Sequence, residues 1–161
     1  MGTMQINSQQ SYAATPDQVF AMMTDEAYLA ACCDRFGAKE RTIAVDGNTT
    51  TVNMKLPAPA QVQKFIGAVL PLNQIITWGA PAADGTRNGT LTMTVDKMPV
   101  NVSGTAVLRP GGQGTEVVYQ ADMSVKIPLL GKKLEQEAAP VAKRALDAQE
   151  QVGKDYLAKR A

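Results

Sequence analysis

The sequence contains no histidine among its 161 residues. Histidine is the side chain whose ordinary pKa lies nearest neutral pH, so acid–base chemistry would have to use other groups. The only cysteines, Cys32 and Cys33, are adjacent. Adjacent cysteines rarely form a disulfide, and two thiols are too few for a zinc site. We expect two reduced, partly buried thiols in a cytoplasmic protein, with a vicinal-dithiol redox role as the alternative, and we predict no metal or cofactor.

The sequence also lacks a charge imbalance and a long apolar run. Lys and Arg total 16 and Asp and Glu total 15, which predicts no nucleic-acid partner. No stretch of 18 apolar residues occurs, so no transmembrane segment is expected. The N-terminal residues MGTMQINSQQ lack the basic start and apolar centre of a signal peptide. We interpret residues 1–3 as an addition before a native Met4 and expect one domain over residues 1–161.

Two short helices are predicted after a first, edge-like strand that contains Met4, Ile6 and Tyr12. The segment Thr15-Pro16-Asp17-Gln18 has the N-cap threonine, the first-turn proline and the glutamine of a capping box. A second helix is expected from Glu26 to Asp34, ending near Gly37.

From residue 46 the apolar residues recur at every second position, which is typical of strands with one buried face. Asp46-Gly47 is a hairpin signal, and the segment GGQG at 111–114 is expected to be a turn between two strands. A short helical turn is predicted within PAPAQVQKFIG. The pattern indicates a twisted antiparallel sheet. The expected inward residues include Val52, Met54, Leu56, Leu72, Ile76, Trp78, Leu91, Met93, Val95, Val100, Val102, Ala106, Leu108, Val117, Tyr119, Ala121, Met123, Val125 and Ile127.

A long helix is predicted from about Leu129 to Lys159, with Pro140 in its interior. A proline there removes one backbone hydrogen bond and costs roughly 3 kcal/mol. Because no N-cap residue precedes Pro140, we predict one kinked helix and not two helices. An apolar stripe follows the helical period through Leu130, Leu134, Ala138, Val141, Ala145, Ala148, Val152 and Tyr156.

Two arrangements fit the small side chains in the middle of that stripe. Bulky residues of the sheet, among them Met54, Met93, Met123 and Trp78, either fill the space above the alanines or leave an apolar hollow lined by methionines. Periodicity alone favours the filled core, because methionine at strand spacing usually serves packing.

The residues contain no serine-hydrolase elbow, phosphate-binding loop or dinucleotide-binding motif. Tyr119, which the alternation places on the inward face of its strand, is the best single candidate for acid–base catalysis. Asp34, Arg35 and Glu40 lie near the end of the second helix, where the mouth of a pocket would form. For all four residues, packing or solvation is the simpler interpretation.

The succession of motifs resembles the START-like superfamily, also called SRPBCC or helix-grip, and within it a bacterial subgroup of unassigned function. The resemblance covers residues 4–158. It is carried by TPDQVFAMMTD, by Trp78 followed by the Asp84-Gly85 turn, by VSGTAVLRP and by VKIPLLGKKLE. It implies an α+β fold in which an antiparallel sheet grips a long C-terminal helix.

The resemblance also implies an apolar cavity between the sheet and that helix, and it shifts the balance from a filled core to a hollow. We therefore expect a non-catalytic carrier or sensor of a hydrophobic small molecule or lipid. The alternatives are a cyclase, dehydratase or hydrolase that uses the same cavity, and a regulatory or interaction module without ligand. Oligomeric state stays open. The predicted ligand-binding residues are Val52, Met54, Ile76, Trp78, Leu91, Met93, Tyr119, Met123, Val141, Ala145 and Ala148.

Overall fold

The computed structural model describes residues 4–58 and 60–160, apart from the side chains of residues 61 and 62. The interpretation of residues 1–3 as an addition therefore lies outside the described residues. In chain order the elements are β1 Met4–Tyr12, α1 Pro16–Met23, α2 Glu26–Phe36, β2 Arg41–Asp46, β3 Thr49–Pro57, α3 Ala60–Ile66, β4 Val69–Trp78, β5 Arg87–Val95, β6 Met98–Gly111, β7 Gly114–Val125 and α4 Gly131–Arg160.

The two helices after β1 are confirmed, and both begin at capped residues. The Thr15 side chain accepts a hydrogen bond from the Gln18 backbone, and the Gln18 side chain accepts one from the Thr15 backbone, which completes the predicted capping box. The second helix begins after Asp25, whose carboxylate accepts from the Ala27 N–H. It extends to Phe36 and ends at Gly37, which has a left-handed φ of 82°.

The seven strands form one antiparallel sheet in the order β1-β7-β6-β5-β4-β3-β2. The chain thus winds through six neighbouring strands by short connections, and β1 pairs with β7 at the far edge. The Asp46-Gly47 hairpin and the turn within 111–114 both lie where they were predicted. Because side chains alternate across a strand, one face of this sheet carries the inward residues of all the central strands.

The last helix is continuous from Gly131 to Arg160, so the prediction of one helix through Pro140 is confirmed. The bend itself stays a prediction. Pro140 lacks the N–H that would bond to the Gln136 carbonyl. Both residues are exposed, so water can solvate that carbonyl and reduce the cost of the missing bond.

Both ends of α4 are held against other elements. At its beginning, the buried Glu135 carboxylate accepts a hydrogen bond from the Val125 N–H at 2.9 Å. At its other end, the Tyr156 hydroxyl donates to Asp25. A Cβ at Gly153 would lie 2.6 Å from Cε1 of Tyr12, so the helix and β1 are in close contact there. These contacts fix where the helix lies above the sheet.

The interior is filled at one end and hollow at the other. Beneath α1 and α2 the side chains of Val19, Met22, Tyr28, Leu108 and Val117 are almost completely buried. The first half of α4, in contrast, stands over an open space that faces β3 to β7. Of the two arrangements left open for the space above the alanines of α4, the structure therefore has the hollow, and the filled core lies beside it.

Candidate functional site

The open space is a cavity of about 340 Å³ between the sheet and α4. Known small-molecule sites are typically a few hundred Å³ in volume and largely apolar. Apolar side chains supply most of this wall. They include Leu72, Ile76, Leu91, Met93, Val102, Ala121, Met123 and Val125 from the sheet, and Leu134, Ala138, Val141, Ala142, Ala145 and Leu146 from α4.

The strand register explains why these sheet residues share one surface. Ile76 pairs with Leu91, and two residues further along Gln74 pairs with Met93. Met93 in turn pairs with Val102, and Val102 with Met123. Paired residues point to the same face of a sheet, so each row continues across the strands as one band of the wall.

The helical side of the wall includes three alanines on one face of α4. Ala138, Ala142 and Ala145 are spaced by four and three positions, which places them on one face of α4. Alanine extends only one carbon from the backbone, so a helix held at both ends leaves room beneath this stretch. The cavity is therefore a consequence of small side chains on an anchored helix.

Two glutamines interrupt the apolar wall. Gln74 lies on the inward face of β4, where its cross-strand neighbours Val52 and Met93 provide no strong hydrogen-bonding group. Gln149 extends from α4 and donates from Nε2 to the Tyr119 hydroxyl at 3.1 Å. The wall thus contains amide groups that can bind a polar atom.

Tyr119 is the one titratable residue among the described residues that line this cavity. It is 2% exposed. Burial raises the pKa of its phenol, and the hydrogen bond from Gln149 opposes this effect only in part. The phenol therefore stays protonated at neutral pH and is a poor general base.

A smaller cavity of about 30 Å³ adjoins the main one. The two share five wall residues, Phe36, Met54, Gln74, Ile76 and Gln149. Trp78 and Cys32 also line the smaller cavity. Burial raises the pKa of the Cys32 thiol to about 12, so this wall is neutral as well.

The eleven predicted ligand-binding residues divide into three groups. The main cavity is lined by Met54, Ile76, Leu91, Met93, Tyr119, Met123, Val141 and Ala145. Val52 and Trp78 line the smaller cavity only, whereas Met54 and Ile76 line both cavities. Ala148 lies on neither wall as the described residues define them. The apolar stripe predicted that Ala148 faces the cavity, whereas in the structure the neighbouring residue Gln149 lines it.

The structure does not bring the other catalytic candidates to either wall. Asp34, Arg35 and Glu40 are exposed. Asp34 forms an ion pair with Arg41, and Glu40 forms one with Lys55 at 2.9 Å. Their surroundings fit solvated surface groups.

Neither a metal cluster nor a membrane-spanning helix is found in the described part of the chain. Among residues 4–58 and 60–160, His, Cys, Asp and Glu form no group of three that could hold a metal ion. No helix within the same ranges combines the length and hydropathy needed to cross a membrane. Cys32 and Cys33 are both free and buried.

Solved structures with this fold come from several bacteria. The protein TTHA0849 of Thermus thermophilus superposes with a TM-score of 0.65 at 18% identity, covering 98% of this chain and 100% of that one. The Zhui aromatase/cyclase of Streptomyces sp. R1128 gives 0.64 at 14% identity, over 98% and 93%. A START superfamily protein of Mycobacterium smegmatis gives 0.57 at 16% identity, over 97% and 99%. The chain therefore has the START-like helix-grip fold that its motifs predicted.

Sequence relatives with curated records include uncharacterized proteins of Mycobacterium bovis and Mycobacterium tuberculosis. Each is 30% identical over 96 residues, which cover 56% of this chain and 55% of the relative. The match thus spans about half the length of these relatives. The family model described as "Protein of unknown function (DUF2505)" matches residues 7–157. This match begins within β1, ends within α4 and includes every element between them, and the chain belongs to that family.

Proposed function

We propose that the protein binds a hydrophobic small molecule or lipid in the main cavity, as a carrier or sensor without catalysis. The observation that carries the proposal is an apolar cavity of about 340 Å³ whose described wall residues include no Asp, Glu, Lys or Arg. Each 100 Å² of apolar ligand surface buried there contributes about 2.5 kcal/mol before the costs of association.

The composition of the wall favours binding over acid–base catalysis. Proton transfer at neutral pH requires a group whose pKa lies near 7. Tyr119 is the single candidate on the described wall, and burial raises its pKa further from that range. A cyclase, dehydratase or hydrolase in this cavity is therefore the weaker hypothesis.

Three further expectations depend on less direct observations. The hypothesis that the outer face of α4 binds a partner is also weaker than ligand binding, because that face carries charges of both signs. Its charged residues are Lys132, Lys133, Glu137, Lys143 and Arg144. The cytoplasmic location is part of the proposal, and two free buried thiols fit a reducing compartment. The single-domain interpretation stays a prediction.

Titration with the neutral fluorophore N-phenyl-1-naphthylamine tests the binding function. We expect saturable fluorescence enhancement with the wild-type protein. Met93→Trp, which places an indole in the main cavity, should weaken the affinity about tenfold or more. The matched control is Thr92→Trp on the exposed face of the same strand, which should change the affinity less than about twofold.

Native mass spectrometry of freshly purified protein provides an independent readout, because a tightly held ligand would copurify as added mass. Absence of saturable probe binding, together with no thermal shift from a chemically diverse panel of lipids and aromatic compounds, would refute the proposed function. If Met93→Trp binds the probe as tightly as Thr92→Trp does, the probe binds elsewhere on the protein.

A further inference from the structure

The junction of the two cavities differs chemically from the rest of the interior. Gln74 and Gln149 line both cavities, so their amides lie where the large apolar space meets the small one. The small cavity, at about 30 Å³, is large enough for a group the size of a water molecule but not for a ring or a chain. An occupant of the junction must therefore end in a small group.

Gln74 is the more informative of the two amides. It belongs to the inward row that also contains Val52, Met93 and Val102, and it is half-buried there. An amide in an apolar environment costs free energy unless it finds a hydrogen-bond partner. Its position would suit a leucine if the wall served packing alone.

A second polar group lies at the same end. Trp78 is 2% exposed and lines the small cavity. Its indole Nε1 has no hydrogen-bond partner among the described residues. The Tyr28 hydroxyl, on the same wall, also has no partner among the described residues. An indole N–H can only donate and a hydroxyl can donate or accept, so a ligand atom that accepts a hydrogen bond suits both groups.

The charge of that acceptor follows from the walls. The described residues around both cavities include no lysine or arginine. Burial also raises the pKa values of Cys32 and Tyr119, which shows that this interior disfavours anions. A carboxylate would therefore lose its hydration without gaining a cation.

From these observations we propose that Gln74 recognises one uncharged oxygen, a carbonyl or a hydroxyl, at the inner end of an otherwise apolar ligand. This inference rests on the proposed binding function and narrows its ligand class to neutral ketones, alcohols and similar molecules. The apolar body occupies the main cavity, and the oxygen lies at the junction beside Gln149.

A matched pair of probes tests the role of Gln74. 2-Acetylnaphthalene and 2-ethylnaphthalene have the same ring system, and only the first carries an oxygen acceptor. Their dissociation constants are measured by displacement of N-phenyl-1-naphthylamine from wild type, Gln74→Leu and Gln74→Met. The different hydrophobicities of the two probes affect the ratio of their constants equally in every variant, so they cancel when the ratio in a variant is compared with the ratio in wild type. We expect the preference for the ketone to fall by about three- to tenfold in both variants, the range of one net hydrogen bond.

The matched control is Gln120→Leu, because Gln120 is an exposed glutamine on the other face of β7. It should leave the ketone preference unchanged. A third probe, 2-naphthoate at pH 8, should bind at least about tenfold more weakly than the ketone. The methionine variant preserves the test if the leucine variant does not fold.

The outcomes separate this inference from the proposed function. If the naphthalene probes bind wild type but the ketone preference is the same in the Gln74 variants, recognition by Gln74 is wrong while the binding function stands. If the naphthoate binds as well as the ketone, the restriction to uncharged ligands is wrong. If no probe binds wild type, the binding function itself fails, and this inference fails with it.

Discussion

Ala145 lies on the part of α4 that covers the main cavity, and replacing it with leucine tests whether the space beneath is open. The substitution adds three carbons, and a buried CH₂ contributes about 0.8 kcal/mol, so full burial would contribute at most about 2.4 kcal/mol. Leucine has nearly the helix propensity of alanine, so the substitution costs the helix little free energy. We expect the free energy of unfolding to rise by about 1–2 kcal/mol, which raises the Tm by roughly 3–8 °C in a protein of this size.

Differential scanning calorimetry and urea denaturation measure this gain, and probe titration should show weaker ligand binding in the same variant. Ala158→Leu, at an exposed position of the same helix, is the control for helix propensity and should change stability little. Ala148→Leu is the control for binding, because that residue lies on neither cavity wall within the described residues. Overpacking of a filled core usually costs about 1–3 kcal/mol. Destabilisation of Ala145→Leu by that amount would therefore refute an open cavity.

Three further predictions concern the residues around the site. Gly153→Ala should lower the free energy of unfolding in urea by about 1–2 kcal/mol, because overlap with the Tyr12 ring outweighs the better helix propensity of alanine; an increase in stability would contradict this packing. Cys32, whose pKa burial raises to about 12, should react with a thiol reagent at pH 8 only after denaturation, and rapid labelling of the native protein would disprove its burial. Hydrogen bonds from Tyr156 and the Ala27 N–H lower the pKa of Asp25, so its contribution to stability is present above about pH 4 and is lost as pH falls through the lowered value. Asp25→Asn retains a good N-cap residue, should cost about 1 kcal/mol at pH 7 and should weaken the acid dependence in pH-jump denaturation; an unchanged acid profile would argue against this ion–dipole contact.

Local signals predicted the elements well because each depends on neighbouring residues. The capping box at Thr15 and the left-handed Gly37 mark helix ends through contacts within a few positions. The alternation in β5 and β7 identifies the buried face without knowledge of the partner strand. These features position the wall residues Met93 and Met123, which were predicted correctly to face inward.

The two glutamines were missed although both follow the same patterns. Gln74 lies between Leu72 and Ile76 on the inward parity of β4, and Gln149 lies four residues after Ala145 on one helix face. The predicted stripe of α4 was built from apolar residues only, so it included Ala148 and left out Gln149. A polar residue on a predicted buried face is the signal that would have identified them, since such a residue needs a partner.

The sequence by itself determined which residues face inward, where the helices begin and that one helix continues through Pro140. Only the tertiary structure decided how far α4 lies from the sheet. Periodicity specifies the direction of a side chain and contains no information on the distance between two layers. That distance results from contacts between residues far apart in sequence, the Glu135 bond to Val125 at one end of the helix and the Tyr156 bond to Asp25 at the other. With both ends held, the alanines between them leave a cavity that no local pattern could distinguish from a filled core.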